Sequence, residues 1–143
     1  MEARMNREQL EQRVNSAIIR LIHQKGYICA VDVLMESGIL AKKDYEAWRN
    51  RRVPYLERVC HANLSQLSAV NHLIRSYAVK NELKPSYTAY MSWGKGKKEK
   101  LRFSKTGNET IEKNYATHYV SPALKKKKEE EHTGSTAADS EGL

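Results

Sequence analysis

Apolar side chains recur every three or four residues near the start of the chain, which is the spacing of one buried face of an α-helix. The pattern predicts a helix over residues 6–25, with Asn6 as its N-cap and Gly26 as the glycine that ends it. Arginine, glutamate and glutamine occupy the opposite face. The apolar positions are Leu10, Val14, Ile18, Leu21 and Ile22.

A second long stretch has the same spacing and predicts a helix that reaches residue 80 from a cap at Asn63 or Ser65. Lys84 and Pro85 then break the pattern. Its apolar positions are Leu67, Val70, Leu73, Ile74 and Tyr77. Shorter apolar groups predict four further helices. These cover about residues 30–37, 42–50, 54–60 and 109–118.

The C-terminal half contains a less regular segment. Residues 86–93 suit either a strand or a helical turn, and residues 100–104 alternate between apolar and polar side chains as a strand does. Two glycines lie between them. We therefore expect a mainly α fold, a compact bundle of four to six helices. A small β-hairpin in the C-terminal half would be formed by residues 87–93 and 99–104.

The end of the chain differs from the rest in composition. Residues 123–143 hold a lysine block, a glutamate block and then small polar residues. Such a segment cannot bury enough apolar surface to offset the entropy lost on ordering. We predict a single helical domain over residues 1–122, followed by a disordered charged tail over residues 123–143.

Positive charge is concentrated in one part of the predicted domain. The chain has a formal net charge of +8, and residues 84–105 hold seven cations and one acid, a net +6. Tyr87, Tyr90, Trp93 and Phe103 lie among these cations. Cations attract phosphates regardless of sequence, and aromatic rings offer faces on which bases can stack. The segment therefore predicts a nucleic-acid partner, with DNA and RNA both open.

Two kinds of contact are predicted for this segment. Trp93 and Tyr90, with Tyr87, either stack on bases or form core, and the pattern does not decide between these roles. The glycine- and lysine-rich residues 94–98 lack the spacing of a P-loop, so they either hold a phosphate or form a solvated hairpin tip. The cations assigned to phosphates are Lys95, Lys97, Lys98, Lys100, Arg102 and Lys105.

A second basic group follows an outline that resembles a helix-turn-helix. A short helix, a turn at Gly38 and another helix precede Arg49, Arg51 and Arg52, which become further candidate phosphate contacts. The detail is poor, because Asp44 lies where the second helix normally buries an apolar side chain. An ordinary helix pair with a basic surface is the favoured interpretation.

No motif for catalysis or metal binding is present in the sequence. Cys29, Cys60 and the histidines lack the paired spacing of zinc ligands, and the GxSxG and HExxH patterns are absent. We predict free thiols, no cofactor, no metal and no enzyme activity. The first residues carry no apolar signal segment, and no apolar run suits a membrane span, so we expect a cytoplasmic protein without membrane contact.

The alternative function is a protein-interaction module or adaptor. In this hypothesis the first helix docks a protein partner or a second copy of the chain through its apolar stripe, Leu10, Val14, Ile18 and Leu21. The hypothesis requires that stripe to be exposed, whereas such stripes are usually covered within the same domain.

Four segments of the chain carry a resemblance to other proteins: KDYEAWRNRRVPYLERV (43–59), NLSQLSAVNHLIRSYA (63–78), LKPSYTAYMSWGKGKK (83–98) and LRFSKTGNETIEKNYATHYV (101–120). With these segments the chain resembles a group of small, uncharacterised bacterial proteins. The resemblance covers about residues 26–120 and leaves out the tail. It implies a cytoplasmic bacterial protein, and it carries over no activity and no site residues.

Overall fold

The computed structural model describes residues 6–122, which form five α-helices, one short 3₁₀ helix and three β-strands. The helices are α1 (Arg7–Lys25), α2 (Ala30–Glu36), α3 (Lys42–Arg49), α4 (Leu64–Lys80) and α5 (Glu109–Ala116), with the 3₁₀ helix at Leu56–Val59. The strands are β1 (Tyr27–Cys29), β2 (Lys84–Tyr87) and β3 (Thr117–Val120). The mainly α class is confirmed. The predicted disordered tail, residues 123–143, lies outside the described residues.

Both long helices begin with a capping box, in which two side chains satisfy otherwise unpaired backbone N–H groups. At the start of α1, the N–H of Gln9 donates to Asn6 Oδ1 (2.8 Å), and the N–H of Asn6 donates to Gln9 Oε1 (3.1 Å). Asn63 and Gln66 repeat the arrangement at the start of α4. Gly26 ends α1 with a φ of 79°, which favours glycine. These local predictions are confirmed.

The apolar stripe of α1 lies inside the protein. Leu10, Val14, Ile18 and Leu21 are all buried, and α1 packs against α2 and α4. The adaptor hypothesis needed this stripe to be exposed, so its premise is wrong: the face that would dock a partner is core. No helix in the described part of the chain is long and apolar enough to cross a membrane.

The strands form one antiparallel sheet in the order β1–β3–β2. Val120 of β3 lies opposite Tyr27 on one side and opposite Lys84 on the other. The helix predicted over residues 109–118 therefore ends early, at Ala116. The next four residues become the central strand because their main chain finds partners on both sides, which local helix propensity does not reveal.

An aromatic cluster joins α3, α5 and the irregular segment of the C-terminal half. Trp48 of α3 is fully buried, with ring-centroid distances of 5.2 Å to Phe103 and 5.6 Å to Tyr90. Phe103 stacks on Tyr115 of α5 at 5.3 Å with nearly parallel rings. Buried aromatic side chains contribute large apolar areas, so this cluster fixes the position of the basic segment on the helices.

Candidate nucleic-acid interface

A short two-stranded ribbon takes the place of the predicted hairpin. The ribbon consists of residues 90–92 and 99–101. The N–H of Leu101 donates to the carbonyl oxygen of Tyr90, and the N–H of Ser92 donates to that of Glu99, both at 2.8 Å. The bonded stretch is therefore shorter than the predicted hairpin of residues 87–93 and 99–104.

Side chains along the ribbon and its flanks alternate between core and solvent, as expected of a two-residue period. This alternation settles which rings of the basic segment are structural, because Tyr90 and Phe103 face the core while Tyr87 and Trp93 are exposed. The buried positions are Tyr90, Ser92, Leu101 and Phe103. The exposed positions are Met91, Trp93, Lys100 and Arg102.

Tyr90 was a candidate for either base stacking or core, and the structure places its ring in the core. The residue is only 9% exposed, its ring lies against Trp48 and Phe103, and its hydroxyl is 3.4 Å from the Sγ of Cys29. Burial raises the pKa of Tyr90. Because protein side chains already surround the ring, Tyr90 forms part of the support beneath the surface.

The tip between the two halves of the ribbon is a loop, residues 94–98, that we call the lysine loop. Gly94 and Gly96 have φ angles of 100° and 91°, which side-chain-bearing residues rarely adopt. The Nζ of Lys98 donates to the carbonyl oxygen of Gly94 (2.6 Å) and closes the loop. Lys95, Lys97 and Lys98 are all exposed, so their charges face solvent.

Glu99, the single acid in residues 84–105, has a partner from outside the segment. The Nη1 of Arg51, just beyond α3, lies 3.0 Å from Glu99 Oε1. In the structure the charge of Arg51, a candidate phosphate contact, offsets that of Glu99. Lys100 follows Glu99 in the chain, and its Nζ lies 5.5 Å from the ring centroid of Tyr87. A hydrogen bond to Tyr87 raises the pKa of Lys100. Lys100 therefore remains a cation at neutral pH.

Arg49 supports an aromatic ring. Its Cζ lies 5.0 Å from the ring centroid of Trp93, 5.2 Å from that of Tyr90 and 5.8 Å from that of Tyr45. Its carbonyl oxygen accepts the N–H of Trp93 (2.8 Å). The buried Nε of Arg49 has no hydrogen-bond partner among the described residues. In the structure the guanidinium of Arg49 makes cation–π contacts that hold Trp93 in place. The phosphate contact at Arg49 stays a prediction.

The other predicted cations lie farther along the chain. The Nε of Arg102 donates to the carbonyl oxygen of Ser104 (3.0 Å), and its Cζ lies 5.4 Å from the ring centroid of Tyr55. Lys105 and Arg52 are exposed. Arg49 of α3 packs on Trp93, the lysine loop begins at the next residue, and Arg51 just beyond α3 reaches Glu99 beside Lys100.

Two carboxylates outside the predicted site residues hold the end of the basic segment. Glu112 of α5 accepts the N–H of Phe103 at Oε1 (3.0 Å), and its Oε2 accepts both the N–H and the hydroxyl of Ser104 (2.6 Å each). Glu57 accepts the N–H of Lys105 at Oε1 (3.1 Å). No short motif predicts such contacts, because Glu57 and Lys105 are 48 residues apart.

The cysteines and histidines do not gather into a metal site within residues 6–122, where no group of three or more potential ligands occurs. Cys29 is buried and Cys60 is half-buried, and burial raises the pKa of each thiol to about 12. His118 of β3 is also buried and stacks on Tyr27. Burial lowers the pKa of His118. These groups have the environment of packed side chains.

Comparisons with protein-family models, with curated proteins and with solved structures give no match to this chain. The resemblance to a group of small bacterial proteins therefore stays a prediction. An inference about function can therefore be based only on the chemistry of the surface around Trp93.

Proposed function

We propose that the protein binds nucleic acid through the lysine loop and Lys100, and that its role is accessory or regulatory and not catalytic. One observation carries this proposal. Four lysines are exposed within six residues, and the one acid among them, Glu99, is paired with Arg51 at 3.0 Å. The lysines thus present an almost uncompensated positive surface, which attracts phosphates whatever the base sequence.

The fold supports this surface from behind. Trp48, Phe103 and Tyr90 anchor the ribbon to the core, and Glu112 fixes its C-terminal flank. A loop whose ends are held in this way loses less conformational entropy when it binds than a free chain with the same charges.

Replacing Lys95, Lys97 and Lys98 with glutamine tests the proposal. Each phosphate contact releases counterions, so the slope of log affinity against log salt for a duplex of DNA should flatten by about 2 to 3 units when three contacts are lost. Affinity should fall for every base sequence. The measurement is fluorescence anisotropy with a labelled duplex over a range of salt concentrations.

The matched control changes net charge by the same amount elsewhere. Lys42 and Lys43 at the start of α3 and Lys80 at the end of α4 are exposed cations outside the basic segment. Their triple replacement with glutamine should leave affinity and salt slope close to those of the wild type. The proposal is wrong if the wild type binds no nucleic acid at low salt, or if both triple variants lose affinity equally.

A further inference from the structure

Four exposed side chains form a row along one edge of the basic segment. Tyr87, Ala89, Met91 and Trp93 are exposed, while Tyr90 and Ser92 between them are buried. Alternation with a period of two places such side chains on the same side of an extended chain. We call these four residues the exposed row. It leads directly into the lysine loop.

The exposed row is unusual because it exposes three large apolar side chains close together in the sequence. Tyr87 is 51% exposed, Met91 38% and Trp93 42%. The other exposed large apolar side chains of residues 6–122 are divided among three helices: Ile19, Leu64, Val79 and Ile111. Scattered apolar residues are ordinary on a protein surface, whereas a cluster beside concentrated charge indicates a contact site.

The two rings of the row are held in position before any ligand arrives. Arg49 packs 5.0 Å from the Trp93 ring centroid, and Tyr45 meets the same ring edge-on at 5.8 Å. Lys100 lies 5.5 Å from the ring centroid of Tyr87. Each ring therefore combines a cation at close range with an exposed fraction of at least two-fifths. Rings fixed in this way lose little rotamer entropy on stacking.

We propose that the exposed row selects single-stranded nucleic acid by stacking unpaired bases on Trp93 and Tyr87. This inference rests on the proposed function, in which the neighbouring lysines hold the phosphates. Bases in a duplex already stack on one another, so only an unpaired strand can offer its base faces to exposed rings while its backbone follows a basic surface. The exposed row supplies the base contacts that the lysine loop alone lacks.

Three probes of equal length, about 20 nucleotides, separate phosphate binding from base stacking. They are a labelled single strand of DNA, the duplex of the same sequence, and a single strand whose central nucleotides are abasic. The abasic strand keeps the phosphates and removes the surfaces that stack. We expect the intact single strand to bind most tightly and the abasic strand to lose much of that advantage.

Substitutions in the exposed row should act on the intact single strand alone. Trp93→Ala and Tyr87→Ala should each lower its affinity by about 5- to 150-fold, the range for loss of one stacked base, and should change duplex affinity little. Trp93→Phe keeps a ring and should retain most of the affinity. Val79→Ala, which shortens an exposed apolar side chain on α4, is the control and should change nothing.

Intrinsic fluorescence gives an independent readout, because the chain has two tryptophans and Trp48 is fully buried. Base stacking on Trp93 should quench emission when the single strand is added. The quenching should disappear in Trp93→Phe although binding persists. This readout remains usable even if Trp93→Ala fails to fold.

The outcomes separate this inference from the proposed function. If the three probes bind equally, and Trp93→Ala and Tyr87→Ala match the wild type while the lysine triple variant loses affinity, the lysine loop binds phosphates and the stacking inference is overturned. If the wild type binds none of the probes, the proposed function itself fails. Tight, quenching-coupled binding of the intact single strand supports both.

Discussion

Replacing Glu112 with alanine should strongly destabilise the protein, because one carboxylate accepts hydrogen bonds from two adjacent backbone N–H groups and a hydroxyl. Phe103 and Ser104, which supply these donors, are both 1% exposed, so water cannot easily replace the lost acceptor. A buried donor left without a partner costs about 1–3 kcal/mol. With two backbone donors affected, we expect unfolding free energy to fall by about 2–5 kcal/mol.

Glu109→Ala is the matched control. Glu109 also lies in the first turn of α5 and is exposed, so its loss removes the same charge near the helix N-terminus without breaking these bonds. The favourable interaction of an acid with the helix dipole is about 0.3–1 kcal/mol, and this is the loss expected for Glu109→Ala. Glu112→Gln keeps one acceptor oxygen and should fall between the two alanine variants.

Urea denaturation followed by circular dichroism measures the three unfolding free energies under the same conditions. A Glu112→Ala variant no less stable than Glu109→Ala would contradict this expectation. In that case the carboxylate would do no more than complement the helix dipole. A large loss confined to Glu112→Ala would instead identify the contact with Phe103 and Ser104 as the main attachment of this flank.

Two further predictions concern buried titratable groups. Burial lowers the pKa of His118 in the folded protein. Between this lowered pKa and the ordinary value of about 6.5, the unfolded chain therefore binds more protons than the folded one. The free energy of unfolding should therefore be fully retained above about pH 6.5 and should decline as pH falls below it. Urea titrations should show this decline in the wild type and a smaller one in His118→Phe. Equal declines in the two proteins would contradict the prediction. Cys29 and Cys60, with pKa values raised to about 12, should react slowly with a thiol reagent in the native protein at neutral pH. After denaturation without a reductant both should react at once, and a rapid native reaction would show that the thiols are more accessible than the structure places them.

Local signals in the sequence predicted the local structure well. Asn6 and Gly26 mark the ends of α1 because a cap depends on residues within a few positions of it. The alternation of Leu101 and Phe103 predicted their common face for the same reason, and both are buried. The concentration of lysines in residues 94–100 was likewise visible in the sequence, and these side chains are exposed.

Long-range contacts could not be predicted from the pattern of residues along the sequence. Tyr90 and Trp93 carry similar rings in the same segment, yet Tyr90 is core because Trp48 and Cys29 lie against it from distant parts of the chain. Trp93 is exposed because its neighbour on α3, Arg49, covers it only in part. The hydrogen bonds of Glu57 and Glu112 could likewise not be predicted without the fold, because an acid at the surface has the same sequence signature as an acid that holds a loop.

The central position of β3 has a consequence for the order of folding. Strands β1 and β2 both depend on it for their pairing, and β3 is the last of the three in sequence. Tyr27 must wait for Val120, which is synthesised 93 residues later. On the ribosome, which works from the N-terminus, helices α1 to α4 can therefore assemble first while the edges of β1 and β2 stay unpaired. Closure of the sheet then comes late, and this sequence distance makes it slow relative to helix formation.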